Sequence, residues 1–132
     1  MVERFEMKGH RDLEAWQLGM RFVKAVYLAT RTFPDEERYG LTSQLRRASV
    51  SVPSNLAEGY GRKSYRELHR FVGNSIGSVL EAETQVELAR DLALLDTRMA
   101  GDLLRQTEHL VRVLNGLRNW TQKQIDAGAQ LV

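Results

Sequence analysis

Five polar residues near the middle of the chain have a spacing that would place them on one face of a helix. They follow one another at intervals of three, four, four and three residues: Gln44, Arg47, Ser51, Asn55 and Glu58. Residues at these intervals share one side of an α-helix. The stripe could contact a ligand or nucleic acid, or it could form a hydrogen-bonded network that fixes helix packing.

We favour the structural interpretation of this polar stripe. Glu58 would repel phosphate, and Arg47 lies about three helical turns away from it. The two charged residues are therefore better suited to anchoring neighbouring elements than to holding one ligand. We predict that Arg47 and Glu58 make hydrogen-bonded ionic contacts between helices or between subunits.

A second candidate site is basic and follows the stripe directly. Four cations surround the end of one predicted helix and the start of the next: Arg62, Lys63, Arg66 and Arg70. The free N–H groups and the dipole at a helix N-terminus also favour anions. Tyr60 and Tyr65 could stack on bases, and Arg46 could add positive charge. This cluster is the best nucleic-acid-binding candidate, and a solvated basic loop is the alternative.

Other chemistries find no support in the sequence. Carboxylate-bridged metal sites in helical bundles use Glu-x-x-His pairs, and the chain contains none. It has no cysteine, which excludes thiolate metal sites and cysteine nucleophiles. No phosphate-binding loop or dinucleotide fingerprint is present, and no spacing supports a serine hydrolase. We expect no catalytic residue, no metal, no cofactor and no enzymatic activity.

Helix-starting and helix-ending residues predict four helices, at about 13–32, 42–58, 65–92 and 97–126. Asp12 is the expected N-cap of the first helix, Ser64 begins a capping box with Glu67, and Asp96 or Thr97 caps the fourth. The loops fall near 33–40, 59–64 and 94–96, and residues 127–132 are expected to form a frayed tail. The first helix has a recurring face that we expect to be buried: Trp16, Met20, Val23, Tyr27 and Thr30.

Proline and glycine residues predict where these helices bend, end or pack closely. Pro53 should kink the second helix or leave one carbonyl free. Gly59 and Gly61 should end it. Gly73 and Gly77, four residues apart in the third helix, indicate a place where another helix approaches closely.

Together these elements predict one domain over residues 1–132. No segment alternates as a strand does, and four helices with short connections indicate an all-α, antiparallel, up-down-up-down four-helix bundle. The third helix would be about 40 Å long at roughly 1.5 Å per residue. Part of it would extend beyond its own bundle, where another subunit could cover it.

Charge is distributed unevenly along the 132 residues. The net charge is +2, but residues 46–70 carry six basic and two acidic side chains. Residues 71–110, in contrast, carry three basic and seven acidic side chains. Such asymmetry suits nucleic acid or contacts between unlike faces of subunits. No stretch approaches the roughly 20 apolar residues of a membrane span. We therefore expect no membrane partner. The lack of cysteine favours a reducing compartment, and the charged residues Glu3, Arg4 and Glu6 argue against a signal peptide, so we predict a cytoplasmic protein.

Three segments resemble a known family: RDLEAWQLG at 11–19, FPDEERYGLTSQLRRASVSVPSNLAEGYGRKS at 33–64 and RFVGNSIGSVLEAETQVELARDLALL at 70–95. They resemble the bacterial four-helix-bundle proteins also called 23S rRNA intervening-sequence proteins, some of which are encoded within insertions in that rRNA gene. The accessory protein of diversity-generating retroelements looks like a relative. The resemblance extends over about residues 10–120.

The resemblance implies a four-helix bundle that assembles as a ring-like homopentamer. For the retroelement relative it also implies binding of RNA and of a reverse transcriptase through a basic surface. We therefore expect a non-enzymatic, RNA-associated accessory protein that acts as an oligomeric ring. The residues expected to contact the nucleic acid are Arg62, Lys63, Arg66, Arg70 and Arg46. The alternative is a protein-interaction scaffold with an unidentified partner and no nucleic-acid binding.

Overall fold

The computed structural model describes residues 8–132, and the first seven residues of the predicted domain lie outside that range. Four α-helices account for most of it: α1 Glu14–Thr30, α2 Leu41–Gly61, α3 Tyr65–Asp91 and α4 Thr97–Asp126. Each helix packs on the next, and α1 also packs on α4. Residues 8–132 contain no strand. The predicted all-α, four-helix class is confirmed.

Side-chain caps set the starts of the two long helices. The Ser64 hydroxyl accepts a hydrogen bond from the Glu67 N–H at 3.3 Å, and the Asp96 carboxylate accepts one from the Met99 N–H at 2.7 Å. Both caps satisfy N–H groups that a helix start leaves free. The Ser64 and Asp96 caps are confirmed. The Glu67 carboxylate bonds Arg62 and Arg70, and among the described residues no hydrogen bond joins it to the Ser64 N–H, so the second half of the predicted capping box does not form.

The start of α1 differs from the prediction. Asp12 belongs to a short 3₁₀ turn at His10–Asp12, and Leu13 takes the N-cap position. The Asp12 carboxylate accepts a hydrogen bond from the Lys8 N–H at 2.8 Å instead of from α1. The prediction of Asp12 as the N-cap is therefore wrong, because the 3₁₀ turn already uses this side chain.

The buried face of α1 is also rotated from the predicted one. Most of the buried positions are small or compact: Ala15, Gly19, Phe22, Val26, Ala29 and Thr30. Tyr27, which we expected in the core, is 41% exposed. The prediction selected the larger apolar residues, but close packing on α2 favours the stripe that carries Gly19.

Helix α2 continues through Gly59, which we expected to end it. A Cβ at this position would lie 2.6 Å from the Phe71 Cβ and 3.4 Å from the Leu68 Cα. Glycine is needed here because α3 crosses α2 almost in backbone contact. The chain instead turns at Lys63, whose φ of 57° is in the left-handed region.

Pro53 lies within α2, and the helix continues on both sides of it. Its ring fits against Gly19 of α1, where an added Cβ would be 3.3 Å from the Pro53 Cδ. On the other side of α2, the Ser75 hydroxyl of α3 donates to the Val52 carbonyl at 2.8 Å in the buried interior. Helix α2 is thus held closely by α1 and α3 at neighbouring positions.

Two further expectations are wrong for the single chain. A Cβ on Gly73 or Gly77 would meet nothing within 4 Å, so no helix of the same chain approaches α3 there. At the C-terminus Leu131 packs back onto the bundle and is only 8% exposed, so the expected frayed tail is wrong for this residue, whereas residues 127–130 and Val132 are exposed. Among the helices of residues 8–132, none is long and apolar enough to cross a membrane.

The two glycine environments allow a matched test of helix packing. Gly59→Ala should lower the free energy of unfolding by about 1–3 kcal/mol, because the new methyl group overpacks the crossing with Phe71. Gly116→Ala in α4 has open space around it and should raise that energy by roughly 0.5–1 kcal/mol through helix propensity. Urea unfolding of both variants measures this. Equal effects from the two substitutions would contradict the close α2–α3 crossing.

Candidate nucleic-acid interface and polar stripe

The turn between α2 and α3 brings the four predicted cations together, but carboxylates already neutralise two of them. Arg62 lies 3.0 Å from the Glu58 carboxylate and 3.4 Å from that of Glu67, and Arg70 lies 3.0 Å from Glu67. Four cations and two carboxylates leave this region with a charge of 4 − 2 = +2. Exposed pairs of this kind add little to stability, about 0–1 kcal/mol, but they reduce the charge offered to a ligand.

Glu67 occupies the place where we had expected a phosphate. The hydrogen bond from Arg70 lowers the pKa of Glu67, the charges of Arg70 and Arg62 add to that effect, and desolvation opposes it. The same hydrogen bond raises the pKa of Arg70. Glu67 therefore stays ionised, and its negative charge lies in the first turn of α3, where the helix dipole favours it.

Lys63 and Arg66 are the two cations of the cluster that remain available. Both are exposed, and within residues 8–132 neither forms an ion pair with a carboxylate. The Lys63 ammonium lies 4.8 Å from the centre of the Tyr60 ring. These two residues form one wall of a groove of about 430 Å³, and the C-terminal segment around Gly128 and Leu131 forms the other.

The two tyrosines beside this groove are held by the protein itself. Tyr60 is only 4% exposed and belongs to the hydrophobic core, so the prediction that it stacks on bases is wrong. Tyr65 is half-buried and packs edge-on against Trp120 at 5.4 Å between ring centres. Burial and the nearby Tyr60 raise the pKa of Tyr65. The groove therefore offers charge rather than open aromatic faces.

Arg46 is not part of this cluster. Its guanidinium lies 4.5 Å above the Tyr27 ring, and its Nε donates to the Thr30 hydroxyl at 2.8 Å. It precedes Arg62 by 16 residues on α2, a distance of about 24 Å along the helix. Within one chain, Arg46 therefore lies apart from the basic cluster, and its contact with nucleic acid stays a prediction.

The centre of the polar stripe is a hydrogen-bonded link between α2 and α3. The Asn55 amide donates to the Ser51 carbonyl at 2.8 Å and to its hydroxyl at 2.9 Å. The Ser78 hydroxyl of α3 is 2.9 Å from the same Ser51 hydroxyl. The side chains of Ser51 and Asn55 therefore satisfy one another and connect the two helices.

The two ends of the polar stripe form no link between helices of the described chain. Glu58 pairs with Arg62, its neighbour one turn further along α2, and this local partner explains why no interhelical pair forms. Gln44 and Arg47 are exposed, and no described residue pairs with either side chain. The predicted ionic anchoring by Arg47 and Glu58 between helices of one chain is wrong, and a contact of Arg47 with another subunit stays a prediction.

One surface feature was missed by sequence reasoning. A groove between α1 and α2, which we call the tyrosine–arginine groove, is lined by Tyr27, Arg38, Tyr39, Thr42, Ser43, Arg46, Arg47, Val50 and Ser51. Tyr27 had been assigned to the core and Tyr39 to a featureless loop. The signal was the set of three arginines and two tyrosines, but only the fold brings residues 27 and 39 next to α2.

Outside the polar stripe and the basic cluster, the structure shows no group of titratable side chains that forms a metal site among the described residues. The His69 ring nitrogen Nδ1 lies 2.9 Å from the Thr121 hydroxyl and joins α3 to α4. In the part of the chain that the structure describes, no three metal-ligating side chains converge on a point that could hold a metal ion.

Comparison with known proteins identifies a family but no individual relative. No curated protein matches the chain significantly. The family model described as 23S rRNA-intervening sequence protein matches residues 11–116, a range that includes the polar stripe, the basic cluster and the tyrosine–arginine groove. Because this match covers most of the chain and agrees with the four-helix fold, the protein belongs to the 23S rRNA-intervening sequence protein family.

Proposed function

We propose that this protein is a non-enzymatic accessory protein that associates with RNA and works as a homo-oligomeric ring, most simply a pentamer. The observation that supports RNA contact most directly is the pair of exposed, unneutralised cations Lys63 and Arg66 at the start of α3. The family description connects these proteins with the 23S rRNA gene. The ring is supported by the family resemblance and by the uneven charge along the chain.

Repetition around a ring compensates for a weak site. One copy offers two free cations, which would neutralise only a few phosphates. Copies held in a ring present the same pair repeatedly, and simultaneous contacts raise the apparent affinity without any new type of interaction. The protein would contact the phosphate backbone of the RNA rather than its bases, because Tyr60 is buried and Tyr65 packs against Trp120.

Removing the free cations should weaken RNA binding. We expect the double variant Lys63→Gln and Arg66→Gln to bind structured RNA less tightly. The slope of log affinity against log salt should also become shallower, by roughly 0.7–0.9 for each phosphate that the variant no longer neutralises. Filter binding over a salt series measures both quantities.

The matched control is Arg98→Gln with Arg105→Gln, which changes the net charge equally at the opposite end of the bundle. It should leave affinity and slope close to those of the parent. Equal losses of affinity in the two double variants would mean that only overall charge matters, and RNA binding through the α2–α3 turn would be rejected.

The Glu67 carboxylate should lower the affinity of the protein for RNA. Glu67→Gln removes the carboxylate that pairs with Arg62 and Arg70 but keeps a residue suited to the capping box. We therefore expect higher RNA affinity and a steeper salt slope, because Arg70 becomes available to phosphates, whereas Arg62 keeps its pair with Glu58. Unchanged affinity, with the helix content intact by circular dichroism, would show that Arg70 does not face the RNA.

The ring and the RNA association are tested separately. Sedimentation equilibrium at micromolar concentration should give an assembled species, and a monomer would reject the ring. Purification from native cells should bring RNA with the protein.

A protein-interaction scaffold is the second candidate, favoured by the exposed leucines Leu80, Leu88 and Leu92 on α3. RNA absent from native material, together with no salt-sensitive RNA binding in vitro, would select the scaffold.

A further inference from the structure

The large hydrophobic side chains that one chain leaves exposed fall into two groups on different helices. Apart from the C-terminal Val132, the described residues of this kind are Tyr27, Leu28, Tyr39 and Val50 on the α1–α2 side, and Leu80, Leu88 and Leu92 on α3. Exposed apolar side chains that cluster, unlike isolated ones, are typical of contact surfaces. The two groups also differ in the charges that surround them.

Three members of the first group, Tyr27, Tyr39 and Val50, line the tyrosine–arginine groove, which has a volume of about 640 Å³. Arg46 lies over the Tyr27 ring, and the Arg38 guanidinium is 5.5 Å from the centre of the Tyr39 ring. No acidic residue lines the groove. Within residues 8–132 its arginines form no ion pair with a carboxylate. Arg47 also borders a second pocket that Glu81 of α3 lines. The groove therefore combines apolar surface with three arginines, of which Arg47 lies near an acidic residue at the groove's edge.

The second group forms what we call the leucine ridge, the outward face of the C-terminal half of α3. It consists of Leu80, Leu88 and Leu92 together with Glu81, Glu87 and Asp91, all exposed. Arg90 is its one basic residue, and its guanidinium lies 3.9 Å from Glu87 and 3.2 Å from Asp91. Three carboxylates and one cation give the ridge a charge of 1 − 3 = −2.

We propose that the tyrosine–arginine groove of one copy receives the leucine ridge of a second copy. Leucines of the ridge would cover Tyr27, Tyr39 and Val50, and the ridge carboxylates would face the arginines of the groove. Arg47, which has no partner in one chain, would gain one in the assembly. The inference rests on the ring in the proposed function and names the two surfaces that build it.

The charges favour the pairing of unlike surfaces. A ridge packed on the ridge of another copy would bring like charges together, and a groove on a groove would do the same with arginines. Arg47 of the groove and Glu81 of the ridge line one pocket of the same chain, so the two surfaces adjoin. A head-to-tail contact between them closes into a ring when the rotation permits, whereas a twofold contact in which each groove receives the other copy's ridge would give a dimer in sedimentation equilibrium and contradict the ring.

Charge reversal tests the pairing without touching the core. The groove variant carries Arg38→Glu and Arg47→Glu, and the ridge variant carries Glu81→Lys and Glu87→Lys; all four side chains are exposed. Each variant alone should have an association constant weaker by roughly 100-fold or more in sedimentation equilibrium, with helix content like the parent's and a thermal midpoint lowered only by the stabilisation that assembly supplied. An equimolar mixture of the two should associate again, because the two variants present opposite charges to each other at every contact. Since strict alternation requires an even number of copies, the mixture should give even-numbered species rather than the pentamer.

The control for charge is Arg112→Glu with Arg118→Glu on α4, which should assemble like the parent. A groove variant that also assembles like the parent overturns the inference, as does a mixture that stays dissociated. A groove variant that assembles normally but loses RNA binding would assign the groove to nucleic acid instead and equally overturn it. A monomeric parent would reject the ring itself, whereas an assembled parent that is insensitive to these changes rejects only the proposed pair of surfaces.

The absence of cysteine from the chain allows a second, geometric test. Val50→Cys and Leu88→Cys are prepared separately and then mixed under oxidising conditions. We expect disulfide-linked dimers in the mixture and none in either variant alone. Cross-linking of Leu88→Cys with itself would show a ridge-to-ridge contact and contradict the head-to-tail arrangement.

Discussion

The close packing of α2 between α1 and α3 is the constraint on which the rest of this structure depends. Gly59 lets α3 approach almost to backbone contact, Gly19 of α1 fits against the Pro53 ring, and Ser75 donates to the Val52 carbonyl. A side chain at either glycine would have to displace a neighbour. These contacts fix the rotation of α2 about its own axis and thereby decide which of its residues point outward.

That rotation separates the polar residues of α2 by function. Ser51 and Asn55 face α3 and complete a hydrogen-bonded link with Ser78. Arg46 lies over Tyr27 on the α1 side. Arg47 borders both the tyrosine–arginine groove and a pocket shared with Glu81 of α3, and Glu58 lies at the far end with Arg62. A single periodic stripe in the sequence thus supplies one internal network and two separate surfaces.

The distribution of counter-charges then distinguishes those surfaces from one another. At the α2–α3 turn, Glu58 and Glu67 neutralise half of the cations, which leaves Lys63 and Arg66 for an anionic partner. In the tyrosine–arginine groove, Arg38 and Arg46 lie near tyrosine rings and no acidic residue lines the groove, while Arg47 lies near Glu81 at its edge. The first arrangement is open to phosphate groups, whereas the second combines charge with apolar surface, as protein contacts commonly do.

The sequence by itself determined the fold class, the four helices and the caps at Ser64 and Asp96, because these follow from local hydrogen bonding and from periodic burial along one segment. It also grouped the cations near the α2–α3 turn, since they are neighbours in the chain. We did not predict the Glu67–Arg70 pair, although its spacing of three residues within α3 is local and present in the sequence. The sequence did not predict that Tyr60 is buried or that Gly59 continues the helix. Those two outcomes depend on how far apart two helices lie and how each is rotated, which is decided by packing between distant segments. The tyrosine–arginine groove belongs to the same category, because Tyr27 and Tyr39 meet Arg46 and Val50 only after α1 has packed onto α2.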